Sequence, residues 1–417
     1  MSHSFSKPVM LSVILLCVGF VQAVDGDGVQ SQIKNYRNMS YLVVSPNGPD
    51  DGGDFGPKSP GTKTSGIQEA LNYAKEHSRD VYIVGGGIKE AFKGGVGYRL
   101  DETLRIPWNQ NWRLDGGEYW LSYAGETGDA VVIDSQMNCD IKLGLVVASR
   151  SPDCAIRMYP TTKGPDKLCC IVASTFRLNG AVGAGDVWGK PGCVQKGTGL
   201  KLDNSGGGGI NGNTILMKEI NACDIGVDIL PGCSSNHFEI TWSHLTNLGM
   251  RIGKGVSESI IKIGASGDVP NARGVQIYGQ NNFLTLTAHN HAPGKNLIFE
   301  ESARDNLIIA VNLSEGITNN AAVPTNRIIS TSAIGYSIET PIVPESGKEL
   351  VNREPYTVEV RVLNPGQVNG WTQTDAKGTA LVFSSGLITG QSFILDPGDK
   401  IKFDYSKAPS WKWKALR

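Results

Sequence analysis

Neither sign of charge dominates this 417-residue sequence, in which 39 Lys and Arg residues oppose 40 Asp and Glu residues for a formal net charge of -1. Such a balance leaves no basic surface for nucleic acid or for an anionic membrane, so we expect no nucleic-acid partner. Aromatic residues are scarce at 7%, whereas glycine is abundant with 52 residues. Abundant glycine is typical of β architectures with many tight turns.

Long apolar runs are also lacking, except for one at the N-terminus. Lys7 precedes the apolar run Val9 to Val21, and Val21-Gln22-Ala23 forms a small-residue cleavage site, the pattern of a secretory signal peptide. The run is too short to span a bilayer. We therefore predict a signal peptide at residues 1–23, a linker at 24–40, no membrane span, and a mature protein that is secreted, periplasmic or on the cell surface.

The cysteines lack the paired C-x-x-C spacing of a structural zinc site. Of the eight, Cys17 lies in the predicted signal peptide, and the others are Cys139, Cys154, Cys169, Cys170, Cys193, Cys223 and Cys233. An odd number leaves at least one thiol free unless an intermolecular bridge forms. One or two disulfides are compatible with export; the alternative is that several cysteines are small buried hydrophobic side chains.

Two strand-like phrases recur in fixed order. The first series is Gly199-Leu200-Lys201-Leu202, Gly226-Val227-Asp228-Ile229, Gly249-Met250-Arg251-Ile252, Gly274-Val275-Gln276-Ile277 and Asn296-Leu297-Ile298-Phe299, in steps of 27, 23, 25 and 22. The second is Asn213-Thr214-Ile215, Asn236-His237-Phe238, Ser259-Ile260-Ile261, Asn282-Phe283-Leu284 and Asn306-Leu307-Ile308, in steps of 23, 23, 23 and 24. The alternation is that of strands, and the period is that of a solenoid. Each period predicts one coil of a parallel β-helix, with equivalent residues of successive coils about 4.8 Å apart.

A helix precedes these repeats. Ile67, Ala70, Leu71 and Ala74 share one helical face, Ser65 is positioned to cap the start, and Asp80 to Gly87 reads as a strand that ends in a glycine turn. The segment resembles the start of proteins in the pectate-lyase-like superfamily, in which such a helix plugs the open end of a right-handed parallel β-helix. The phrases Ile106 to Trp112 and Gly185 to Gly192 resemble those of uncharacterised secreted bacterial members.

The resemblance covers roughly residues 41–325 and implies an all-β fold, a right-handed parallel β-helix solenoid with an N-terminal capping helix. It also implies polysaccharide as the partner. After about Asn320 the repeat stops, and residues 327–417 predict a small C-terminal β-sandwich or β-cap. Trp371, Trp411 and Trp413 in this part belong either to its core or to a sugar-binding surface.

In the first series the third position points outward, which gives the row Lys201, Asp228, Arg251, Gln276 and Ile298. Asp228 would then lie between two cations on adjacent coils. One interpretation is a surface ion-pair ladder that adds little stability. The other is a charged strip that binds an acidic or hydroxyl-rich polymer.

In the second series the outward positions place His237, Glu239 and Lys262 within reach of one another across two coils, with Phe283 next along. A base, a carboxylate, a cation and an aromatic platform make a candidate sugar site; a solvated surface is the alternative. We name His237, Glu239, Lys262 and Arg251 as catalytic candidates, and Lys201, Asp228, Gln276, Phe283 and His244 as substrate-binding candidates.

The recurrent Asn213, Asn236, Asn282 and Asn306 predict an internal structural ladder, since asparagine tolerates left-handed backbone at a turn and hydrogen-bonds its stacked neighbours.

Among reactions, hydrolysis by the polygalacturonase type is disfavoured, because Asn213-Thr214 is followed by Ile215 rather than aspartate and the Gly-His-Gly phrase of that family is missing. β-Elimination on a uronate needs a base for the C5 proton and a cation to neutralise the carboxylate. Lys262, Arg251 and His237 suit these roles, and calcium stays open as a cofactor.

We therefore predict a secreted protein that binds and cleaves an extracellular polysaccharide containing uronic acid units, with β-elimination as the preferred reaction. Two alternatives stay open. One is a glycoside hydrolase that uses Glu239 and Asp228. The other is a non-catalytic carbohydrate-binding or adhesion module, in which the outward Leu307 and Ile309 would be compatible with a homotrimer.

Overall fold

The computed structural model describes residues 33–34, 39, 41–85, 97–151, 153–164, 169–185, 194–330 and 338–416. The predicted signal peptide lies outside these residues, as do most of the predicted linker, Gly86, Gly87 and Cys193. Within the described ranges, no helix combines the length and the apolar character that crossing a bilayer requires.

Short strands make up most of the chain up to residue 330. In chain order they are β1 (Leu42–Val44), β2 (Val81–Ile83), β3 (Tyr98–Leu100), β4 (Leu104–Ile106), β5 (Asn109–Gln110), β6 (Arg113–Gly116), β7 (Trp120–Tyr123), β8 (Val131–Ile133), β9 (Gln136–Met137), β10 (Asp140–Val147), β11 (Cys154–Met158), β12 (Cys170–Val172), β13 (Thr175–Val182), β14 (Thr198–Leu202), β15 (Gly209–Asn211), β16 (Thr214–Asn221), β17 (Ile225–Ile229), β18 (His237–His244), β19 (Leu248–Ile252), β20 (Ile260–Ser266), β21 (Arg273–Ile277), β22 (Phe283–His289), β23 (Leu297–Phe299), β24 (Leu307–Leu313), β25 (Ile317–Asn319) and β26 (Arg327–Ser330).

These strands form three parallel sheets. The first sheet has the order β1-β2-β6-β10-β13-β16-β18-β20-β22-β24-β26, with β7 also pairing β10 and β3 pairing β7; the second has the order β4-β8-β11-β14-β17-β19-β21-β23-β25; the third has the order β5-β9-β12-β15. From β4 to β16 the coils visit the second, third and first sheets in turn, and from β17 onward they alternate between the second and first sheets. The fold is the predicted right-handed parallel β-helix, the hand expected for crossovers between parallel strands.

The register of the coils is the one that the repeats predict. Lys201 pairs with Asp228, and Asp228 pairs with Arg251, while His237 pairs with Ile260. Side chains between these positions, such as Val227 and Phe238, are fully buried in the solenoid core. Alternation along each strand therefore separates core from outer surface, as expected of period-two strands.

The predicted asparagine ladder is present and is longer than the sequence indicated. In each step a backbone N–H donates to a side-chain oxygen on the next coil, over 3.1–3.4 Å, from Asn213 to Asn236 and on through Ser259, Asn282 and Asn306 to Asn326. The expected left-handed backbone lies one residue earlier, for example at Ser235, Asn281 and Asp305. The structural role of the asparagines is to accept hydrogen bonds from buried backbone N–H groups, and not to adopt the left-handed backbone of the turn.

The α-helix, α1 (Ile67–His77), buries the predicted face of Ile67, Ala70, Leu71 and Ala74 and contacts β1, β2 and β4. It lies at the end of the solenoid where the first sheet begins with β1. The expected cap was wrong: the hydroxyl of Ser65 donates to the carbonyl of Arg99. Thr64 Oγ1 instead accepts from the backbone N–H of Gln68.

The cysteines that the structure describes are free thiols, and Cys139, Cys154, Cys223 and Cys233 are buried. Burial raises the pKa of Cys154, Cys223 and Cys233 to about 12. Their part in the fold is that of small hydrophobic side chains.

After residue 338 the chain forms antiparallel sheets. The strands are β27 (Glu349–Val351), β28 (Val358–Asn364), β29 (Gln367–Thr374), β30 (Ala380–Phe383), β31 (Ser392–Leu395), β32 (Lys400–Lys407) and β33 (Ser410–Ala415), in the orders β27-β32-β29-β30 and β31-β28-β33. Trp371, Trp411 and Trp413 are only 4–6% exposed and belong to a core separate from that of the solenoid. Their burial removes the alternative of a sugar-binding surface. The predicted division at residues 325 and 327 stays a prediction.

Candidate functional site

The predicted candidates do not form one site, because they lie on two different sheets. His237, Glu239, Lys262 and Phe283 follow one another on β18, β20 and β22 of the first sheet, in the register expected. Lys262 Nζ lies 2.7 Å from Glu239 Oε1, and the two side chains are 63% and 43% exposed. The hydrogen bond from Lys262 lowers the pKa of Glu239, with a smaller contribution from His237. An ion pair this exposed adds little energy and keeps its water.

His244 does not join that group. It is the last residue of β18, whereas His237 is the first. Seven residues of strand place the two on the order of 20 Å apart. His244 Nε2 instead lies 2.9 Å from Glu219 Oε1 on the neighbouring coil.

Lys201, Asp228, Arg251 and Gln276 form the predicted row on the second sheet, but this row is not an exposed strip. The Asp228 side chain is only 4% exposed and accepts two hydrogen bonds from Arg251, at 2.8 and 2.6 Å. Those bonds raise the pKa of Arg251. Gln276 is also buried and donates to Tyr278 and to a carboxylate oxygen of Glu300. The short Asp228 side chain lies between the longer side chains of Lys201 and Arg251, which explains its burial.

A pocket of about 390 Å³ opens on the second sheet beside Lys201. Its walls are Gly128, Asp129, Asp153, Cys154, Arg157, Thr198 and Lys201. They come from β11, β14 and the turns before β8 and β11, so the pocket spans adjacent coils. Of the predicted candidates, Lys201 alone lines it.

Arg157 is held in place by carboxylates on both sides. Its Nη1 lies 3.2 Å from Asp129 and its Nη2 lies 2.6 Å from Asp203, while the guanidinium carbon sits 4.1 Å from the centre of the Tyr159 ring. Burial acts to lower the pKa of Arg157, but the bonds to Asp203 and Asp129 outweigh it and raise the pKa. Arg157 is therefore a fixed, permanent cation in the pocket wall.

Asp203 lies behind the pocket and joins its two cations. It is 3% exposed, and Lys201 Nζ approaches it to 3.6 Å, further than Arg157 does. Burial acts to raise the pKa of Asp203, but hydrogen bonds from Ser205 and Arg157 prevail and lower it to about 2. Lys201 is the less tightly paired of the two cations.

The two carboxylates in the wall are fixed to backbone groups of neighbouring coils. Asp129 Oδ1 accepts from the N–H of Cys154 at 3.2 Å, and Asp153 Oδ2 accepts from the N–H of Gly128 at 2.6 Å. The Cys154 thiol offers no nucleophile, because burial raises its pKa to about 12.

A resident calcium ion does not fit the side chains present. Calcium takes about six to eight oxygen ligands. Across the described ranges, no group of three or more His, Cys, Asp or Glu side chains is placed to hold a metal ion.

Sequence reasoning missed Arg157 and the carboxylates around it. The signal was present, because Ala155-Ile156-Arg157-Met158 follows Ala130-Val131-Val132-Ile133 by 25 residues. Arg157 pairs with Lys201 in the structure, so it continues the outward row by one coil. Asp129 and Asp153 precede their strands, in turns that the repeat does not describe.

Comparison with known proteins adds no family. No family model matches the chain, and no curated protein matches it. Among solved structures the chain is similar to full-length tailspike protein 2 of Escherichia coli O157:H7 bacteriophage CAB120, at 11% identity and a TM-score of 0.40, over 86% of this chain and 69% of that one. A likeness at this level carries no argument about activity.

Proposed function

We propose that the protein binds and cleaves an extracellular polysaccharide with uronic acid units, by β-elimination at the pocket of the second sheet. The observation that carries the proposal is the pairing of Arg157 and Lys201 on adjacent coils in one pocket wall. One cation is clamped between two carboxylates, and the other is only weakly paired. The reaction needs a fixed cation to neutralise the substrate carboxylate and a less tightly held side chain to act as the base.

In the proposed step, Arg157 neutralises the uronate carboxylate, and Lys201, once it has released its own proton to water, takes the C5 proton. The electrons of the C5–H bond form the C4–C5 double bond as the bond from C4 to the glycosidic oxygen breaks, and the leaving oxygen takes a proton from water. Neutralising the carboxylate stabilises the charge that develops as the proton leaves. Lysine is a residue type that serves as a general base when its surroundings favour the amine.

Hydrolysis at the same pocket is the second candidate. Asp129 and Asp153 both line it, and glycoside hydrolysis uses a pair of carboxylates. Glu239 and Asp228, the carboxylates named from the sequence, are less suited: the first is an exposed ion pair and the second is buried against Arg251.

The helix cap and the coil register support placing the chain in the pectate-lyase-like superfamily, and we propose this placement together with export to the cell surface or beyond. A homotrimer also stays a proposal. Ile260, Val311 and Ile329 are exposed on the last coils of the first sheet, where contact between copies would cover them.

The test compares Lys201→Met with Lys262→Met, which removes an equivalent lysine from the exposed ion pair. Purified variants are incubated with a panel of uronic acid polysaccharides, and ultraviolet absorbance of the unsaturated product is followed with a reducing-end assay. We expect Lys201→Met to lower the rate at least about 100-fold, the scale of a lost general base, and Lys262→Met to behave as wild type.

The two readouts separate the proposals. Reducing ends without ultraviolet absorbance, lost in Asp129→Asn or Asp153→Asn, would replace elimination by hydrolysis. A rate lost in Lys262→Met but kept in Lys201→Met would move the site to the first sheet. Thermal unfolding of each variant confirms that the fold is retained.

A further inference from the structure

The first sheet carries a second cluster of side chains that the pocket does not involve. Between β18 and β20 the register shifts between Ile240 and Ser243, so that β18 has one residue more than its partner. Such a bulge redirects the side chains at the kink. Thr241 is exposed and Trp242 half-buried, and the indole lies across Gly264 of the next coil.

The lack of a side chain at Gly264 allows the indole to lie close to the backbone of the next coil. A Cβ at this position would come within 2.5 Å of a Trp242 ring atom, so any side chain would displace the ring. The indole reaches over that coil towards His289 on β22, with ring centres 5.3 Å apart. Trp242 and His289, whose ring planes are inclined by 44°, therefore form a tilted aromatic platform across three coils.

A polar pair borders the platform. His244, two residues after Trp242 on the same strand, bonds to Glu219 on β16 at 2.9 Å, and Asn221 lies beside them in register with His244. The hydrogen bond from His244 lowers the pKa of Glu219, which keeps the carboxylate ionised. Both side chains are partly exposed. An aromatic face next to a few fixed polar groups is the chemistry of a small-ligand site.

We propose that Trp242, His289, His244 and Glu219 form a second saccharide-binding site, specific for a neutral sugar unit. The apolar face of a sugar ring packs on the indole, and its hydroxyls donate to Glu219 and bond to His244. A uronate is disfavoured because its carboxylate would lie beside that of Glu219. The cation nearest in sequence, Lys218, is directed to Glu118 at 3.3 Å. The pocket of the second sheet, with Arg157 and Lys201, has the opposite preference.

The proposal rests on the proposed action on polysaccharide but concerns a different surface, so the two can fail separately. The test is affinity electrophoresis of the full chain in native gels that contain galactomannan, hydroxyethyl cellulose or polygalacturonate. Trp242→Ala removes the platform, and Thr241→Ala is the matched control at the same bulge. Lys201→Met is the control for the pocket.

We expect the wild type to be retarded by at least one of the two neutral polymers, and Trp242→Ala to weaken that binding at least about tenfold, the scale of one lost aromatic contact. Thr241→Ala and Lys201→Met should keep it. Glu219→Gln, a conservative change at a partly exposed residue, should increase retardation by polygalacturonate, because it removes the repelling charge.

No retardation of the wild type by either neutral polymer would overturn the proposal, as would equal retardation of the wild type and a folded Trp242→Ala. If Trp242→Ala unfolds, Glu219→Gln decides: no increase in binding to polygalacturonate overturns the proposal. Neutral binding that depends on Trp242 in a protein without cleaving activity would retain this site and reject the proposed function.

Discussion

Two ion pairs on different sheets of the solenoid share the same sequence spacing and nearly the same closest distance, but they differ in burial and in the number of hydrogen bonds. Glu239 and Lys262 on the first sheet are 23 residues apart in sequence and meet at 2.7 Å; Asp228 and Arg251 on the second are also 23 apart and meet at 2.6 Å. The first pair is 43% and 63% exposed, whereas Asp228 is 4% and Arg251 36% exposed. Stacking brings opposite charges together on both sheets, but the exposure of each pair to water sets how strongly its two charges interact.

The comparison explains why the best candidate site is the pocket of the second sheet and not the cluster of ionisable residues on the first sheet. A histidine, a carboxylate and a lysine lie together on the first sheet, yet solvent screens them. On the second sheet the buried Asp203 carboxylate holds Arg157 at 2.6 Å and lies 3.6 Å from Lys201, at the wall of a pocket. Charges act strongly on a substrate where water is excluded. Burial, more than residue type, therefore separates the two faces.

The largest effect on stability should come from breaking the buried pair. We expect Asp228→Ala to lower the free energy of unfolding by about 2–3 kcal/mol, because it leaves Arg251 without its partner in a mostly buried position, discounted for the exposure that Arg251 retains. Glu239→Ala should change it far less, because solvent screens the exposed pair. Urea unfolding of both variants measures the difference. Equal losses would mean that burial does not distinguish the two faces.

The sequence predicted the register of the coils correctly, but it did not predict which outward side chains are buried. The period of the repeats placed Lys201, Asp228 and Arg251 side by side because stacking in a solenoid repeats with the coil. Burial depends on the lengths of neighbouring side chains and on turns, which the period does not describe. Asp228 was therefore expected on a charged strip and is covered instead.

The same limit applies to the pocket and to the second cluster. The period of the repeats could have predicted the position of Arg157, which lies one coil before Lys201. Asp203 and Asp129 act from turns, whose course varies between coils. The bulge at Thr241 and Trp242 was invisible to a strict period of two, because one extra residue changes which side chains point outward.

A loss of stability of intermediate size is expected when the pH is lowered and Asp203 becomes protonated. The folded-state pKa of Asp203 is about 2, below the value of about 3.9 for an unfolded chain. Its contribution to stability is complete above about pH 4 and is lost as the pH falls towards about 2, since the unfolded state then binds the proton first. Asp203→Asn should remove this part of the pH dependence.

The measurement is the urea midpoint of wild type and Asp203→Asn at several values between about pH 5 and about pH 2. We expect the gap between the two proteins to narrow as the pH falls. Glu239→Gln is the control on the exposed face, and its gap to the wild type should change much less with pH, because solvent screens this carboxylate. A constant gap for Asp203→Asn would show that the carboxylate is not held ionised by Arg157 and Ser205.

The smallest effect should be the salt dependence of the exposed pair of Glu239 and Lys262. It tests directly whether burial separates this pair from Asp228 and Arg251. A double-mutant cycle with Glu239→Gln and Lys262→Met should give only a small coupling free energy at low ionic strength, falling towards zero at about 1 M salt, where screening acts over about 3 Å. A matching cycle with Asp228→Asn and Arg251→Met should keep more of its coupling free energy, because the Asp228 side chain is only 4% exposed and salt screens buried charges less. If both couplings fall together, solvent reaches Asp228, and burial does not distinguish the charges of the two sheets.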